Sequence, residues 1–169
     1  MELTIRQIRG NPPGRIRIIQ FIDFQEDKCQ EYYYGIEHYL MHYPQCVHVV
    51  KHLPLQQPYD ISLEAARAVE WAATKNMFWE TVEALLLQDK PLCSARILES
   101  LDKLHLDPGD FTAQQSDLIT KNIAQDKLEG SFFDVVSHRP LLIQTKNSAA
   151  QWSQPECINA VEQIAAFVG

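Results

Sequence analysis

Near the N-terminus, two apolar segments flank a segment with helical periodicity, and this arrangement constrains the fold more than any other feature. Residues 15–23 have a continuous apolar centre, which is typical of a strand buried on both faces. Residues 26–42 follow with an apolar stripe at helical spacing, and residues 46–53 form the next predicted strand. The helical stripe consists of Tyr32, Ile36, Tyr39 and Leu40. Strand, helix and strand in this order predict a central sheet with helices packed against it.

The segments on either side of this unit have different periods. Residues 3–8 alternate apolar and polar side chains, which predicts a half-buried strand, and a Gly- and Pro-rich turn follows at residues 10–14. Residues 59–129 have a helical pattern throughout, with a turn at residues 107–110 before the last helix. The predicted helices of this block cover residues 62–73, 76–88, 94–104 and 112–128.

The last part of the chain returns to the sheet. Residues 141–144 predict a strand and residues 155–168 a final helix. The whole pattern therefore predicts one α/β domain, formed by residues 1–57 and 130–169, which an all-helical insertion at residues 58–129 interrupts.

Charge and hydropathy exclude two classes of partner. The chain has 15 Lys and Arg against 22 Asp and Glu, a net charge of −7, so the basic surface that nucleic-acid binding needs is not expected. Its apolar runs are far shorter than the ~20 residues that span a bilayer, so membrane insertion is not expected either. The N-terminus lacks the apolar core of a signal peptide. We therefore expect a cytoplasmic protein, or an extracytoplasmic one if a signal peptide has been removed.

Four local sequences, taken in order, carry a family resemblance. Residues 10–25 read GNPPGRIRIIQFIDFQ, residues 43–55 read YPQCVHVVKHLPL, and residues 65–80 read AARAVEWAATKNMFWE. Residues 137–143 read SHRPLLI. Together they resemble the DsbA-like thiol-disulfide oxidoreductases of the thioredoxin superfamily. The resemblance implies a thioredoxin-like fold, a mixed sheet flanked by helices with an all-helical insertion, and it places Pro140 where the family has a cis-proline.

The chain departs from this family at the redox motif. The family has Cys-x-x-Cys at the start of the helix, whereas this chain reads Glu26, Asp27, Lys28 and Cys29. Disulfide exchange needs a thiolate, which the helix N-terminus stabilises, and a second thiol that resolves the mixed disulfide. Cys29 lies one turn further into the helix and has no second thiol beside it. We expect a packed, inert thiol; a reactive Cys29 is the alternative.

Two further positions bear on the former active site. Members of the family that resemble this chain have a buried acid on the central strand, where this chain has Gln20, which cannot titrate. Arg139 precedes Pro140 in a loop that, in this fold, faces the start of the active-site helix. We expect Arg139 to pair with Glu26 or Asp27, because a guanidinium can bond a carboxylate at two points. The alternative is that Arg139 points to solvent.

The remaining candidate residues have structural explanations. His38 and His42 are four residues apart on a helix, but no third ligand is near in sequence, so a solvated helix face is expected. His48 and His52 are about 13 Å apart along an extended strand and cannot share a metal. We expect buried, small apolar roles for Cys46, Cys93 and Cys157, with a disulfide among them left open. No metal or cofactor is expected.

The sequence therefore favours a non-catalytic binding or accessory protein that retains the groove beside Pro140. In the family, this groove holds an extended peptide, so a protein or peptide partner is expected there. The alternative is a monothiol reductase, isomerase or peroxide-reactive protein acting through Cys29. A glutathione transferase on the same scaffold is a weaker third reading. The sequence leaves the oligomeric state open.

Overall fold

The computed structural model describes residues 1–11, 13–56, 59–88, 91–114, 116–136 and 139–169. Within them, five strands form one mixed sheet: β1 (Ile8–Gly10), β2 (Ile16–Ile22), β3 (Cys46–His52), β4 (Leu141–Thr145) and β5 (Glu156–Ile158). The strand order is β1-β3-β2-β4-β5. β2 and β3 are parallel, and every other neighbouring pair is antiparallel. This topology confirms the predicted thioredoxin-like sheet.

Most of the helices lie where the sequence pattern predicts them. α1 (Asp27–His42) connects β2 to β3, and the helices of the insertion connect β3 to β4. The insertion contains α2 (Tyr59–Ala73), α3 (Phe78–Leu86), α4 (Ser94–Lys103), α5 (Pro108–Ala113) and α6 (Asp117–Phe132). A 3-10 turn (Val161–Ile164) leads into the C-terminal α7 (Ala165–Val168). No helix in the described ranges combines the length and the apolar character needed to cross a bilayer.

Side chains from alternate positions of the strands fill two sides of the sheet. On one side Ile18 packs with Ile36 of α1 and Ile164, all with no exposed surface. On the other side Ile19 and Phe21 pack with residues that include Leu3, Leu53 and Val135. The apolar centre of β2 is therefore buried on both faces, as its sequence predicts.

The insertion shares a hydrophobic core with one side of the sheet, which includes Ile22 and Val50, and it also contacts the sheet through aromatic rings. Phe78 contacts the ring of His52 at 6.1 Å, and Trp79 contacts the ring of His48 at 5.3 Å. These two ring contacts join the insertion to the sheet. Trp71 has its ring contact inside the insertion instead, with Phe111 at 5.5 Å.

The predicted strand over residues 3–8 is wrong. β1 covers only Ile8–Gly10, and the preceding residues have no regular structure. Leu3 is buried, as its place in the alternation suggested. The backbone of Thr4 is bonded by side chains: its N–H donates to Glu129, and its carbonyl accepts from Lys51. Because these side chains satisfy the hydrogen-bonding groups of the Thr4 backbone, this segment does not need to pair with a strand.

Two predictions in the second half of the chain are also wrong. The expected turn at residues 107–110 is the start of α5, where the Asp107 carboxylate accepts from the N–H groups of Gly109 and Asp110. The expected helix over residues 155–168 begins instead with β5, whose Cys157 pairs with Leu142 of β4. β4 would otherwise be an open sheet edge, and this pairing satisfies its backbone groups.

Candidate functional site

The carboxylate of Asp23 organises the connection between β2 and α1. Its Oδ2 accepts from the backbone N–H groups of Leu55 and Gln56, at 2.6 and 2.7 Å. Its Oδ1 accepts from the Ser62 hydroxyl at 2.6 Å and from the N–H of Gln25 at 3.0 Å. One buried carboxylate thus joins the start of α1, the loop after β3 and the start of α2, and fixes the geometry of this corner. We call it the redox corner, after the sequence resemblance.

Glu26 lies at the start of α1, where the sequence resemblance places a first cysteine. It is the residue before α1, and its side chain makes no capping hydrogen bond to the helix. Its Oε2 instead accepts from the Nε2 of Gln56 at 2.7 Å. Asp27 lies in the first turn, where the helix dipole favours an acidic group, and Lys28 is exposed. The helix start that would stabilise a thiolate therefore faces a carboxylate.

Cys29 is closed off from solvent, with 2% of its surface exposed. A cavity of about 10 Å³ lies beside it. That volume holds at most about one water molecule. The cavity is lined by Phe21, Asp23, Glu26, Cys29, Leu53, Leu55 and Pro140. A disulfide substrate cannot reach the sulfur in this conformation.

Gln20 lies beneath the same helix turn on the central strand. It has no exposed surface, and its Nε2 donates to the carbonyl of Cys29 at 2.9 Å. Its Oε1 is buried and has no hydrogen-bond partner among the described residues. The amide therefore holds the backbone of Cys29 but cannot exchange a proton with the thiol.

The loop before β4 contacts the core through its backbone. The N–H of Phe21 donates to the carbonyl of Pro140 at 2.9 Å, and Arg139 forms a two-way backbone bridge with Val136. Arg139 and Glu26 do not pair: a guanidinium nitrogen of Arg139 donates to the carbonyl of Asp134 at 2.9 Å. The adjoining Ser137 and His138, which belong to the segment that carried the resemblance, lie outside the described residues.

Two exposed apolar side chains flank Pro140. Leu55 is 45% exposed and lines the same small cavity as Pro140. Val136 is 37% exposed and pairs with the residue before Pro140. We call Leu55, Val136 and Pro140 the proline strip. Its surface offers apolar contacts beside a backbone segment.

A buried charge cluster, which sequence reasoning missed, lies where α6 crosses the end of β3. The ammonium of Lys51, only 1% exposed, lies 2.9 Å from Asp126 and 2.7 Å from Glu129. Asp126 also accepts from the N–H of His52 at 3.0 Å and from Arg6 at 2.6 Å. The sequence did contain one sign of this cluster: Lys51 lies within a mainly apolar predicted strand, and a buried lysine requires a buried partner.

His52, Glu70 and Asp126 offer ligand atoms within 4.8 Å of one another. The Nε2 of His52 is 3.1 Å from Glu70, and the Arg6 guanidinium is 3.6 Å from Glu70 and 2.6 Å from Asp126. The donor set does not fit a metal, because Arg6 and Lys51 already neutralise the carboxylates.

A second, half-buried network joins β1, α1 and α3. Arg9 donates to the Tyr33 hydroxyl at 2.8 Å, bonds Glu83, and lies over the Trp79 ring at 4.6 Å. Tyr33 in turn donates to Glu83 at 2.9 Å. Burial, together with the neighbouring carboxylates, raises the pKa of Tyr33 far above its usual value, so this hydroxyl stays protonated. The network is structural in character.

The other cysteines and histidines have separate surroundings. Burial raises the pKa of Cys46 to about 11, and burial also raises the pKa of Cys157. Cys93 is exposed, which corrects the expectation that it is buried. All four cysteines lie in the described ranges, and no disulfide joins them. His38 and His42 are exposed as expected, with their rings 4.3 Å apart.

Comparison with known structures supports the fold. No known family model matches the chain. The structure is similar to a thioredoxin-like oxidoreductase from Silicibacter pomeroyi DSS-3, with a TM-score of 0.79, 16% identity, and coverage of 96% of this chain and 89% of that one. It is also similar to DsbA2 from Pseudomonas aeruginosa, with a TM-score of 0.69, 20% identity, and coverage of 99% and 94%. The DsbA-like thioredoxin fold is therefore confirmed.

Sequence comparison finds a different set of relatives. The chain is 22% identical over 159 residues to the Na(+)/H(+) antiporter NhaA 1 of Mycolicibacterium gilvum (strain PYR-GCK), which covers 92% of this chain and 26% of the antiporter. It is 27% identical over 134 residues to the protein of the same name from Salinispora arenicola (strain CNS-205), which covers 79% and 20%. The chain thus spans about a quarter or less of the curated relatives it matches.

Proposed function

We propose that this chain is a non-catalytic binding protein that holds an extended peptide segment at the proline strip. The observation that carries the proposal is the state of the redox corner: Glu26 replaces the first cysteine, and Cys29 is 2% exposed. Dithiol exchange requires an accessible thiolate and a resolving thiol. Neither requirement is met at this corner.

Peptide binding at the proline strip does not depend on the lost thiol. Extended peptides are held by backbone hydrogen bonds and by pockets for alternate side chains. Leu55 and Val136 supply exposed apolar surface on both sides of Pro140. A partner segment with alternating apolar residues fits this chemistry.

Alkylation of the native thiols tests the loss of redox chemistry. The protein is treated with iodoacetamide between pH 6 and 9, and mass spectrometry locates the label. Cys93 is exposed and serves as the fast internal control, whereas buried Cys46, with its pKa near 11, serves as the slow one. We expect Cys29 to follow Cys46. Labelling of Cys29 as fast as Cys93 would instead favour the monothiol enzyme acting through Cys29.

A binding measurement tests the proline strip itself. The probe is a fluorescein-labelled decapeptide of alternating Val and Ser, and a Gly-Ser decapeptide is the unspecific control. Leu55→Asp should weaken binding of the Val-Ser peptide at least about tenfold, because a charge replaces an apolar contact. Leu87→Asp is the matched control, since Leu87 is 53% exposed on α3's C-terminal side, away from Pro140. Equal effects of both substitutions would contradict the proposal.

The antiporter matches favour a second candidate, an accessory module of a sodium/proton antiporter. The matched region covers 92% of this chain but only 26% of the antiporter. Purified chain would be added to vesicles containing an antiporter that lacks this region, and sodium-driven proton exchange would be followed with a pH-sensitive dye. A changed exchange rate supports this candidate. An unchanged rate, together with failure to co-sediment with the vesicles, rejects it.

A further inference from the structure

An open groove runs between α2 and α6, on the insertion and away from the proline strip. The two helices cross antiparallel: Lys127 donates to the Tyr59 hydroxyl at one end, and Asn122 donates to Glu70 at the other. Between these contacts lies a cavity of about 370 Å³. This is within the range of roughly 300–1,000 Å³ typical of small-molecule sites. We call it the α2–α6 groove.

The floor and walls of the groove are mainly apolar. Leu63 lies on the α2 side, and Ile123 and Ala124 lie on the α6 side. Ile123 is 3% exposed, so its side chain forms the floor. Ala124 is exposed and has only a methyl group, so its side chain does not fill the space between the two helices. An aliphatic chain would bury apolar surface here.

The charged residues of the groove are both cations, although the chain has a net charge of −7. The ammonium of Lys127 is engaged by Tyr59, 3.0 Å from its hydroxyl and 4.8 Å from its ring centre. Arg67 has no hydrogen-bond or ion-pair partner among the described residues. A neighbouring cavity of about 330 Å³ shares Arg67 and is lined by Asp60 and Glu64. Arg67 thus lines both cavities, whereas the acidic residues Asp60 and Glu64 line only the neighbouring one.

We propose that the α2–α6 groove binds a fatty acid, with its carboxylate on Arg67 and its hydrocarbon chain along Leu63, Ile123 and Ala124. The guanidinium of Arg67 can bond a carboxylate at two points. Lys127, the other cation of the groove, is already bonded to Tyr59, so a ligand with a single negative charge suits the site. The apolar walls account for the chain, and the Tyr59–Lys127 contact closes the far end. This site is separate from the proline strip, so it stands whether or not the proposed function does.

Titration calorimetry with decanoate below its micellar concentration tests the proposal. We expect saturable binding of one decanoate per chain, weakened by added salt and at least about tenfold weaker for decanol, which lacks the charge. A peptide ending in Leu-Leu with a free carboxylate should bind more weakly than decanoate. Absence of saturable binding, decanol binding as tight as decanoate, or tighter binding of the peptide would each overturn the proposal.

Two pairs of variants locate the site. Arg67→Gln should weaken decanoate binding about tenfold, while Arg15→Gln, the same change at an exposed residue next to β2, should leave it unchanged. Ala124→Leu should fill the groove and abolish binding, while Ala95→Leu, on the exposed face of α4, should not. All four positions are outside the cores, and thermal melts confirm folding. Equal affinities within either pair would show that decanoate binds elsewhere.

Discussion

The molecule buries polar side chains in two regions next to the central strands, and it uses different chemistry in each. At the redox corner, the buried group beneath the helix is the neutral amide of Gln20, bonded to the backbone of Cys29. At the junction of β3 and α6, the buried groups are the ions Lys51, Asp126 and Glu129. Both regions are nearly inaccessible to solvent.

The comparison shows where the protein keeps buried charge. Buried ions are costly unless each has a partner, and those at the junction are paired and hydrogen-bonded. They join the N-terminal segment, β3 and α6, which are far apart in sequence. At the redox corner, the buried carboxylate of Asp23 is likewise held by backbone N–H groups and Ser62, and the group beneath the Cys29 turn, Gln20, has no charge. Buried charge is therefore structural here.

The largest expected effect is at the junction. Asp126→Asn leaves Lys51 and Arg6 without their shared carboxylate, and we expect the free energy of unfolding to fall by about 3–5 kcal/mol. Urea denaturation at pH 7 measures it. Asp102→Asn, the same change at an exposed position on α4, should cost no more than about 0.5 kcal/mol. A loss below about 1 kcal/mol for Asp126→Asn would mean that the buried ion pairs do not stabilise the contact between β3 and α6.

The second-largest expected effect is a loss of stability at acid pH, which depends on Glu70. Burial would raise the pKa of Glu70, but hydrogen bonds with His52 and Asn122 and the charge of Arg6 outweigh it and lower the pKa from 4.5 to about 2. A depressed native pKa stabilises the fold above the unfolded value, and this contribution is lost as the pH falls from about 5 towards 2. It amounts to about 3 kcal/mol.

Glu70→Gln should remove this part of the pH dependence. Unfolding free energies from urea titrations between pH 7 and 2.5 would show a shallower acid loss for the variant than for the wild type. The exposed Glu80 on α3 provides the control, since Glu80→Gln should retain the wild-type slope. If the unfolding free energies of Glu70→Gln and wild type fell in parallel with pH, the partners of Glu70 would not be lowering its pKa.

At the redox corner, restoring an acid should have a smaller cost. Gln20→Glu replaces the N–H donor to the Cys29 carbonyl with a carboxylate in a fully buried site. We expect a loss of about 1–3 kcal/mol at pH 8. Burial should raise the pKa of the new carboxyl, so the loss should shrink at pH 4, where the protonated group can donate again.

Gln20→Met provides the comparison for that measurement. It removes the same hydrogen bond without adding a titrating group, so its effect on the unfolding free energy should not change between pH 4 and 8. If the cost of Gln20→Glu were equally independent of pH, this corner would tolerate charge as the junction does, and the contrast between the two regions would fail.

The smallest effect is expected at the first position of the former redox motif. Glu26→Ala removes only the hydrogen bond with Gln56, at a partly exposed site. The unfolding free energy should change by no more than about 0.5 kcal/mol, and the alkylation rate of Cys29 should not change. A loss above about 2 kcal/mol would show that Glu26 has become a structural member of the corner.

Much of the sheet could be predicted from periodicity because its central strands are buried on both faces. β2, β3 and β4 all lie where apolar runs predicted them. β5 could not be predicted, because Glu156, Cys157 and Ile158 form too short a pattern to indicate a strand. Its conformation depends on pairing with β4. The short length of β1 could not be predicted either. The segment before it forms no strand because the backbone of Thr4 is bonded by the side chains of Lys51 and Glu129.

The candidate site was only partly predictable. The sequence showed that no second cysteine lies close to Cys29 along the chain and that Gln20 cannot titrate. It led to the wrong partner for Arg139, because the backbone carbonyl of Asp134 leaves no trace in a residue pattern. Lys51 and Asp126, 75 residues apart, also have no local signature.

The sequence by itself determined the central strands β2, β3 and β4, the helix between β2 and β3, the helical block between β3 and β4, and the single cysteine, Cys29, at the start of α1. Those properties follow from local periodicity and residue identity. Only the tertiary structure decided that Cys29 is closed off, that Lys51 is paired, and that α2 and α6 leave a groove with Arg67 at its wall. Those properties depend on the distances between residues remote in sequence, which are set by how the helices pack on the sheet.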